Sequence, residues 1–166
     1  MEFQRLLREA ALRVTRPRIA VLGAVYANPH ADTETITRAT RSEVPDVSHQ
    51  TVYDALSALT AAGLVRRIQP AGSLARYESR VGDNHHHVVC RSCGSVADVD
   101  CAVGDAPCLV PADDGHLEGF TVDEAEVIYW GGYCPDCSAV SPRSIHPVKQ
   151  PVSSTRKECR VHRYIR

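Results

Sequence analysis

Apolar residues recur at helical spacing from the start of the chain. Phe3, Leu6, Leu7, Ala10 and Ala11 predict an amphipathic helix over residues 3 to 13. Thr15-Arg16-Pro17 reads as an N-cap followed by a proline in the first turn, and predicts a second helix to about residue 26, where Asn28-Pro29 breaks it. Asp32 or Thr33 can cap a third helix to about residue 41, with Ile36 and Ala39 inward and Pro45 beyond its end. Ser48 caps a fourth over residues 50 to 62, with Val52, Leu56 and Leu59 on one face and Gly63 as its stop. Two short segments, 64 to 68 and 75 to 78, flank Pro70-Ala71-Gly72-Ser73 and predict a hairpin. Helices followed by a hairpin is the order of a winged helix-turn-helix.

The pattern then changes to short alternating runs. Residues 87 to 90, 96 to 99 and 121 to 129 predict strands, while residues 101 to 119 hold two prolines and three glycines and support a helix poorly. Residues 141 to 166 are rich in Pro, Ser and Arg, lack periodicity, and read as a disordered basic tail. The expected class is therefore α+β: a winged-helix domain over residues 1 to 80, a small α+β domain over 81 to 140, and the tail.

Charge sharpens this division. The net charge of −1 conceals 11 Arg against 8 acids in residues 1 to 80, one Arg against 11 acids in 81 to 140, and 7 basic residues against one acid in the remainder. A mildly basic front beside an acidic middle suggests one module for a polyanion and one for a cation. No apolar run is long enough to span a membrane, and the first residues lack the apolar core of a signal peptide, so a cytoplasmic location is expected. Thiols there stay reduced and available to metal.

Candidate chemistry concentrates in the middle. Cys90-Arg-Ser-Cys93 and Cys134-Pro-Asp-Cys137 each put two thiolates on one tight turn, and two such turns can enclose Zn2+ tetrahedrally. Disulfides are the alternative, but a C-x-x-C disulfide is more often a redox pair than a staple. His85-His86-His87 precedes the first turn. On a strand His85 and His87 share a face and can chelate one ion, with His86 pointing away; a solvated histidine loop is the plain alternative. Asp98, or Asp100 with the same parity, could add an oxygen ligand from the next strand. Nitrogen and oxygen donors suit iron, manganese or nickel, unlike the thiolate cage. In the front half, the start of the fourth helix offers His49, Gln50 and Tyr53 to base edges, with Arg16, Arg18, Arg66, Arg67 and Arg76 for phosphates. A helical bundle with a solvated polar face fits the same periodicity.

Several ordered motifs carry a resemblance. Leu12-Arg13-Val14-Thr15-Arg16-Pro17-Arg18, Pro29-His30-Ala31-Asp32, Val47-Ser48-His49-Gln50-Thr51-Val52-Tyr53 and Ala62-Gly63-Leu64-Val65 come first. Arg76-Tyr77-Glu78, the segment from His85 to Gly94, Gly119-Phe120 and Cys134-Pro135-Asp136-Cys137 continue the series. In order and spacing the chain resembles the ferric uptake regulator (Fur) family over about residues 3 to 138. The resemblance implies a homodimeric, metal-dependent repressor that binds double-stranded operator DNA. It implies structural zinc on Cys90, Cys93, Cys134 and Cys137, and regulatory Fe2+ or Mn2+ on His30, Glu78, His85, His87 and Asp98. It directs Arg16, Arg18, Ser48, His49, Gln50, Thr51 and Tyr53 to DNA.

An aspartate at position 98 is similar to the peroxide-responsive branch of that family. In that branch peroxide oxidises a histidine ligand, here His30 or His85, and releases the repressor from catalase and other defence genes. The alternative signal is iron or zinc itself. A further metal site known in relatives has only His86, Glu118 or Glu124 here. Cys101 and Cys108 match no family role and read as inert thiols, and Cys159 with His162 in the tail reads as no site. A zinc enzyme using His85, His87 and Glu124 or Glu126 is a remote alternative, since no H-E-x-x-H is present. A zinc-ribbon interaction module is a third.

Overall fold

Side-chain caps set where the helices begin. In a computed structural model, which describes residues 2–70, 72–101, 126–131 and 133–140, α1 spans Glu2–Glu9, α2 Arg16–Ala27, α3 Thr33–Glu43 and α4 His49–Ala61. Thr15, Asp32 and Ser48 are the N-caps of α2, α3 and α4, accepting from the backbone N–H of Arg18, Thr35 and Thr51. Each satisfies a donor the helix leaves unpaired.

Two helix ends use the same device with different residues. After α4, Gly63 takes φ +69 while Gly63 N–H bonds Thr60 O and Leu64 N–H bonds Leu59 O. After α1, Ala11 takes φ +54 with the equivalent bonds to Arg8 O and Leu7 O. Both are left-handed C-terminal caps. The second stops α1 at Glu9, short of the expected residue 13, with Ala11 in the position that usually holds glycine.

The apolar faces of the four helices meet in one core that includes Leu7, Leu22, Val25, Ile36, Leu56 and Leu59. Fully burying such a side chain contributes about 1.5–3 kcal/mol. On α3 the inward face is more polar than expected. Thr37 and Thr40 are buried beside Ile36, while Ala39 is half-buried. Their hydroxyls donate to Thr33 O at 2.7 Å and Ile36 O at 2.8 Å, which makes the burial tolerable.

The hairpin forms as β2 Arg66–Ile68 and β3 Arg76–Glu78. A two-residue strand, β1 Ala31–Asp32, pairs antiparallel with β3 on its other edge, Ala31 opposite Tyr77 and Asp32 opposite Arg76. That strand was not anticipated, because two residues carry no readable periodicity. It brings His30 level with Glu78.

A second sheet has the order β5-β4-β6, with β4 His85–Cys90, β5 Val96–Asp100 and β6 Ile128–Gly131. β4 pairs antiparallel with β5, His87 opposite Asp98 and His85 opposite Asp100, and parallel with β6, Cys90 opposite Gly131. A short helix, α5 Pro135–Val140, follows. Residues 102 to 125 and 141 to 166 lie outside the described residues. With them go most of the strand expected over 121 to 129, the weakly supported helix, the tail, Cys108, Glu118, Glu124, Cys159 and His162. No helix among the described residues is long and apolar enough to cross a membrane.

The two left-handed caps predict substitutions of opposite sign. A Cβ on Gly63 meets no atom within 4 Å, so Gly63→Ala tests backbone strain alone and should destabilise by about 1 kcal/mol, whereas Ala11→Gly should stabilise by a similar amount. Urea unfolding of both variants checks this, and a shift of the same sign in both would contradict the cap assignment.

Candidate metal centres and the exposed face of the fourth helix

The pairing of β4 with β6 builds the first centre. Because the two run parallel, their ends lie side by side, and the turns that follow them carry Cys90–Cys93 and Cys134–Cys137 to one place. Ligand sulfurs of all four lie within 4.8 Å of one another. The turn after β4 is tied by Cys90 N–H to Ser95 O at 2.8 Å and Gly94 N–H to Cys90 O at 2.9 Å, with Gly94 at φ +72. Cys134 N–H donates to the Cys90 sulfur at 3.2 Å.

The four residues are free thiols, and the Sγ atoms of Cys93 and Cys134 are 3.7 Å apart, far beyond a disulfide bond of about 2.05 Å. Backbone N–H groups of Cys93, Cys134 and Ser92 draw the Cys90 thiol down to about 6. Cys137 is pushed up to about 12: a hydrogen bond from Ser92 favours its thiolate, but Cys93, Cys134 and Cys90 beside it disfavour a further negative charge. Four thiolates at this spacing call for a cation, and the donor set fits Zn2+.

The second centre forms where the two sheets meet. Glu78 ends β3 and is 1% exposed. Its Oε2 lies 3.0 Å from His30 Nε2 and 2.9 Å from His87 Nε2, and its Oε1 lies 3.2 Å from His85 Nε2. Asp98 Oδ1 lies 2.8 Å from His30 Nε2 and 3.7 Å from His87 Nε2. Ligand atoms of His30, Glu78, His87 and Asp98 all fall within 4.8 Å of one another. Two imidazoles and two carboxylates at this spacing fit an Fe2+ or Mn2+ ion chemically.

His85 stands at the edge of this cluster. It reaches Glu78, lies 3.9 Å from Asp98 Oδ1, and is held by Asp83 Oδ1 at 2.6 Å from its Nδ1. It is not among the four mutually close donors. His86, on the opposite face of β4, is buried and packs edge-on against Tyr129 with ring centroids 6.0 Å apart.

Burial works against charge on Glu78, but hydrogen bonds from His30 and His87 and the nearby charges of His87 and His85 outweigh it and hold the carboxyl down at about 2. Burial likewise works against protonation of His30. The bond to Glu78 and the charges of Asp98 and Glu78 prevail and raise its pKa.

Asp83 and Arg80, which sequence reasoning passed over, support the cluster from outside. Arg80 pairs with Asp83, with Asp100 at 2.6 Å and with Asp98 at 3.6 Å. Asp100, the rival of Asp98 by parity, is engaged there and not with the histidines. The signal available was Asp83 two residues before His85, on the chain leading into β4.

On α4, His49, Gln50 and Tyr53 are exposed, Tyr53 at 52%. Gln50 donates to Asp54 at 2.8 Å. Ser48 and Thr51 bond each other in the cap. Arg16 and Arg18 donate to the carbonyls of Glu43 and Arg13. Arg67 is exposed and bonds Gln69, whereas Arg66 is half-buried and lies 4.0 Å from Glu78. Arg76 donates to the carbonyls of His30 and Gly94, so the expected phosphate contact is instead turned inward.

The profile of the ferric uptake regulator family matches residues 9–106. The chain belongs to that family. It is 68% identical over 146 residues to the transcriptional regulator FurA of Mycobacterium tuberculosis, covering 88% of this chain and 97% of the relative. It is 71% identical over 130 residues to ferric uptake regulation protein 1 of Mycolicibacterium fortuitum, covering 78% of this chain and 79% of the relative. Among solved structures, the ferric uptake regulator of Pseudomonas aeruginosa with manganese aligns at a TM-score of 0.60 and 28% identity, covering 80% of this chain and 98% of that one. Membership makes the chain a metal-dependent transcription regulator and not the zinc enzyme considered above. Fur-family regulators bind operator DNA and act as dimers.

The raised pKa of His30 has a signed consequence in the zinc-loaded chain without added Fe2+ or Mn2+. A pKa raised above the ordinary 6.5 means that the stability contributed by His30 is fully present below about pH 6.5 and is lost as pH rises through the raised value. The fall in Tm between pH 6 and pH 8.5 should therefore be smaller in His30→Gln than in the unaltered chain. An equal fall in both would show that His30 is not the group responsible. Mn2+ affinity should rise over the same interval, since the ion competes with that proton.

Proposed function

We propose that the chain is an iron-responsive repressor. Residues 1 to 80 would form its DNA-binding domain, 81 to 140 its dimerisation domain and 141 to 166 a tail. Cys90, Cys93, Cys134 and Cys137 hold structural Zn2+. His30, Glu78, His87 and Asp98, with His85 at the rim, hold the regulatory Fe2+ or Mn2+. Arg16, Arg18, Ser48, His49, Gln50, Thr51 and Tyr53 form the DNA-facing set, with His49, Gln50 and Tyr53 best exposed for groove contact.

One observation carries this reading: the four mutually close donors come from both sheets. His30 precedes α3 and Glu78 ends β3, while His87 and Asp98 lie on β4 and β5. A bound cation supplies charge that holds these donors together. This chain's residues then hold α3 and α4 in one orientation relative to the second sheet. Paired recognition helices reach successive major grooves only at a set spacing. Metal thereby favours the DNA-competent state through its differential affinity for it.

Iron as the signal is supported by the relatives named for ferric uptake. It replaces peroxide as the leading reading. A peroxide signal keeps a second place on one specific observation. The carboxylate at position 98 is an aspartate whose side chain is 29% exposed and lies 2.8 Å from His30 Nε2, so the cluster meets solvent on that side.

His87→Ala should weaken Mn2+-dependent operator binding at least 100-fold, about 3 kcal/mol, while one zinc per chain is retained. Calorimetry, zinc assay and DNA binding on a Fur-type palindrome check this; unchanged DNA binding would overturn the assignment. The two signals separate under anaerobic loading with Fe2+ or Mn2+ followed by hydrogen peroxide. Retention of DNA by both forms with no added oxygen supports iron-level sensing. Release of the Fe2+ form alone, with one oxygen gained on the peptide bearing His30 or His85, establishes peroxide sensing.

A further inference from the structure

Arg76 sits on β3, two residues before Glu78, and is half-buried. Its Nη1 donates to the carbonyl oxygen of His30 at 2.9 Å and its Nη2 to that of Gly94 at 3.0 Å. Its Nε is buried with no hydrogen-bond partner among the described residues. Burial and two inward bonds remove it from the surface that would meet phosphate.

The two carbonyls belong to unlike places. His30 contributes a nitrogen to the cluster around Glu78, and it holds φ +58, a left-handed backbone that a histidine adopts at some cost. Gly94 directly follows Cys93 and closes the turn of the first thiol pair through its own N–H to Cys90 O. A guanidinium is planar, and its donors point in fixed directions. One Arg76 side chain therefore ties the peptide that aims the His30 ring to the peptide that shapes the Cys90–Cys93 turn. The three residues are 46 and 18 positions apart in sequence, so chain connectivity does not supply this link.

We infer that Arg76 is a positioning residue that couples the two metal centres: occupation of the His30–Glu78–His87–Asp98 cluster and integrity of the four-cysteine cage favour each other through its two carbonyl bonds. The inference rests on the metal-binding reading proposed above. Coupling between two sites is reciprocal at equilibrium. An arginine that only braced the fold would alter Tm without altering how one site responds to the other.

The test uses the full zinc-loaded chain, with Arg76→Ala, Arg76→Lys and, as a control on exposed α1, Arg5→Ala. Arg76→Lys keeps the charge and can reach one carbonyl but not both, so it remains informative where Arg76→Ala does not fold. Calorimetric Mn2+ affinity should fall about 10-fold in the Arg76 variants, as for other groups that orient a ligand, with zinc content unchanged and Arg5→Ala unaffected. In the unaltered chain, saturating Mn2+ should slow zinc release to a zinc-selective dye, and that protection should be lost in the Arg76 variants. Mn2+ affinity equal to the unaltered chain in Arg76→Lys, or undiminished Mn2+ protection of zinc, overturns the coupling alone. If the unaltered chain takes up no Mn2+ that His87→Ala removes, the metal-binding reading falls and the coupling with it.

Discussion

Glu78 is the group on which the arrangement depends. A carboxylate removed from water costs several kcal/mol unless it is paired and hydrogen-bonded. Here His30, His85 and His87 all approach its two oxygens, and the carboxyl stays ionised at about 2. Glu78 lies on β3 of the first sheet and His85 and His87 on β4 of the second, with His30 directly before β1, so satisfying one buried charge also joins the sheets. The same balance explains why the cluster suits a divalent cation. Two carboxylates, Glu78 and Asp98, converge on the same small volume as the ring nitrogens of His30 and His87, so a divalent cation there meets oxygen and nitrogen donors together.

Much of this cluster was legible, and the remainder was hidden for definite reasons. The shared face of His85 and His87 follows from the period of two along a strand, which needs no tertiary information. The choice of Asp98 over Asp100 does need it, because both have the right parity. Register decides: His87 faces Asp98, while Asp100, opposite His85, is drawn to Arg80. His30 was indicated by family resemblance alone. Its place comes from a two-residue strand and a left-handed backbone at a residue that is not glycine, and neither leaves a periodic trace. The helix ends repeat the lesson. Gly63 announced its cap, and Ala11, in the same conformation, did not.

The cysteine pairs were the plainest motif, yet their convergence is a tertiary property. A C-x-x-C places two sulfurs on one turn, but bringing a second pair from 41 residues away requires β6 to lie parallel to β4. Antiparallel pairing would carry the two turns to opposite ends of the sheet. Once β6 is parallel, the Arg91 N–H to Gly131 O bond at 3.1 Å extends the pairing past Cys90, and Pro135 starts α5 with a residue suited to a helix's first turn.

Charge segregation along the chain takes on a different meaning in three dimensions. A basic front and an acidic middle first suggest modules with separate partners. Three arginines of the front instead turn to the middle or to the junction. Arg80 meets Asp83, Asp98 and Asp100, Arg66 lies 4.0 Å from Glu78, and Arg76 bonds Gly94. Asp98 shows why this matters. Its Oδ1 faces His30 while its Oδ2 faces Arg80, so ligation through one oxygen leaves the other partner in place. Without Arg80, three aspartates near one sheet edge would repel one another and move Asp98 from the cluster. The arginines left at the surface are accordingly fewer than composition suggests: among the candidates, Arg18 shares a hollow with Thr51 and Asp54 of α4, and Arg67 shares one with His49 and Tyr53. Part of the basic charge of the front half is thus directed to the carboxylates beside the histidine cluster.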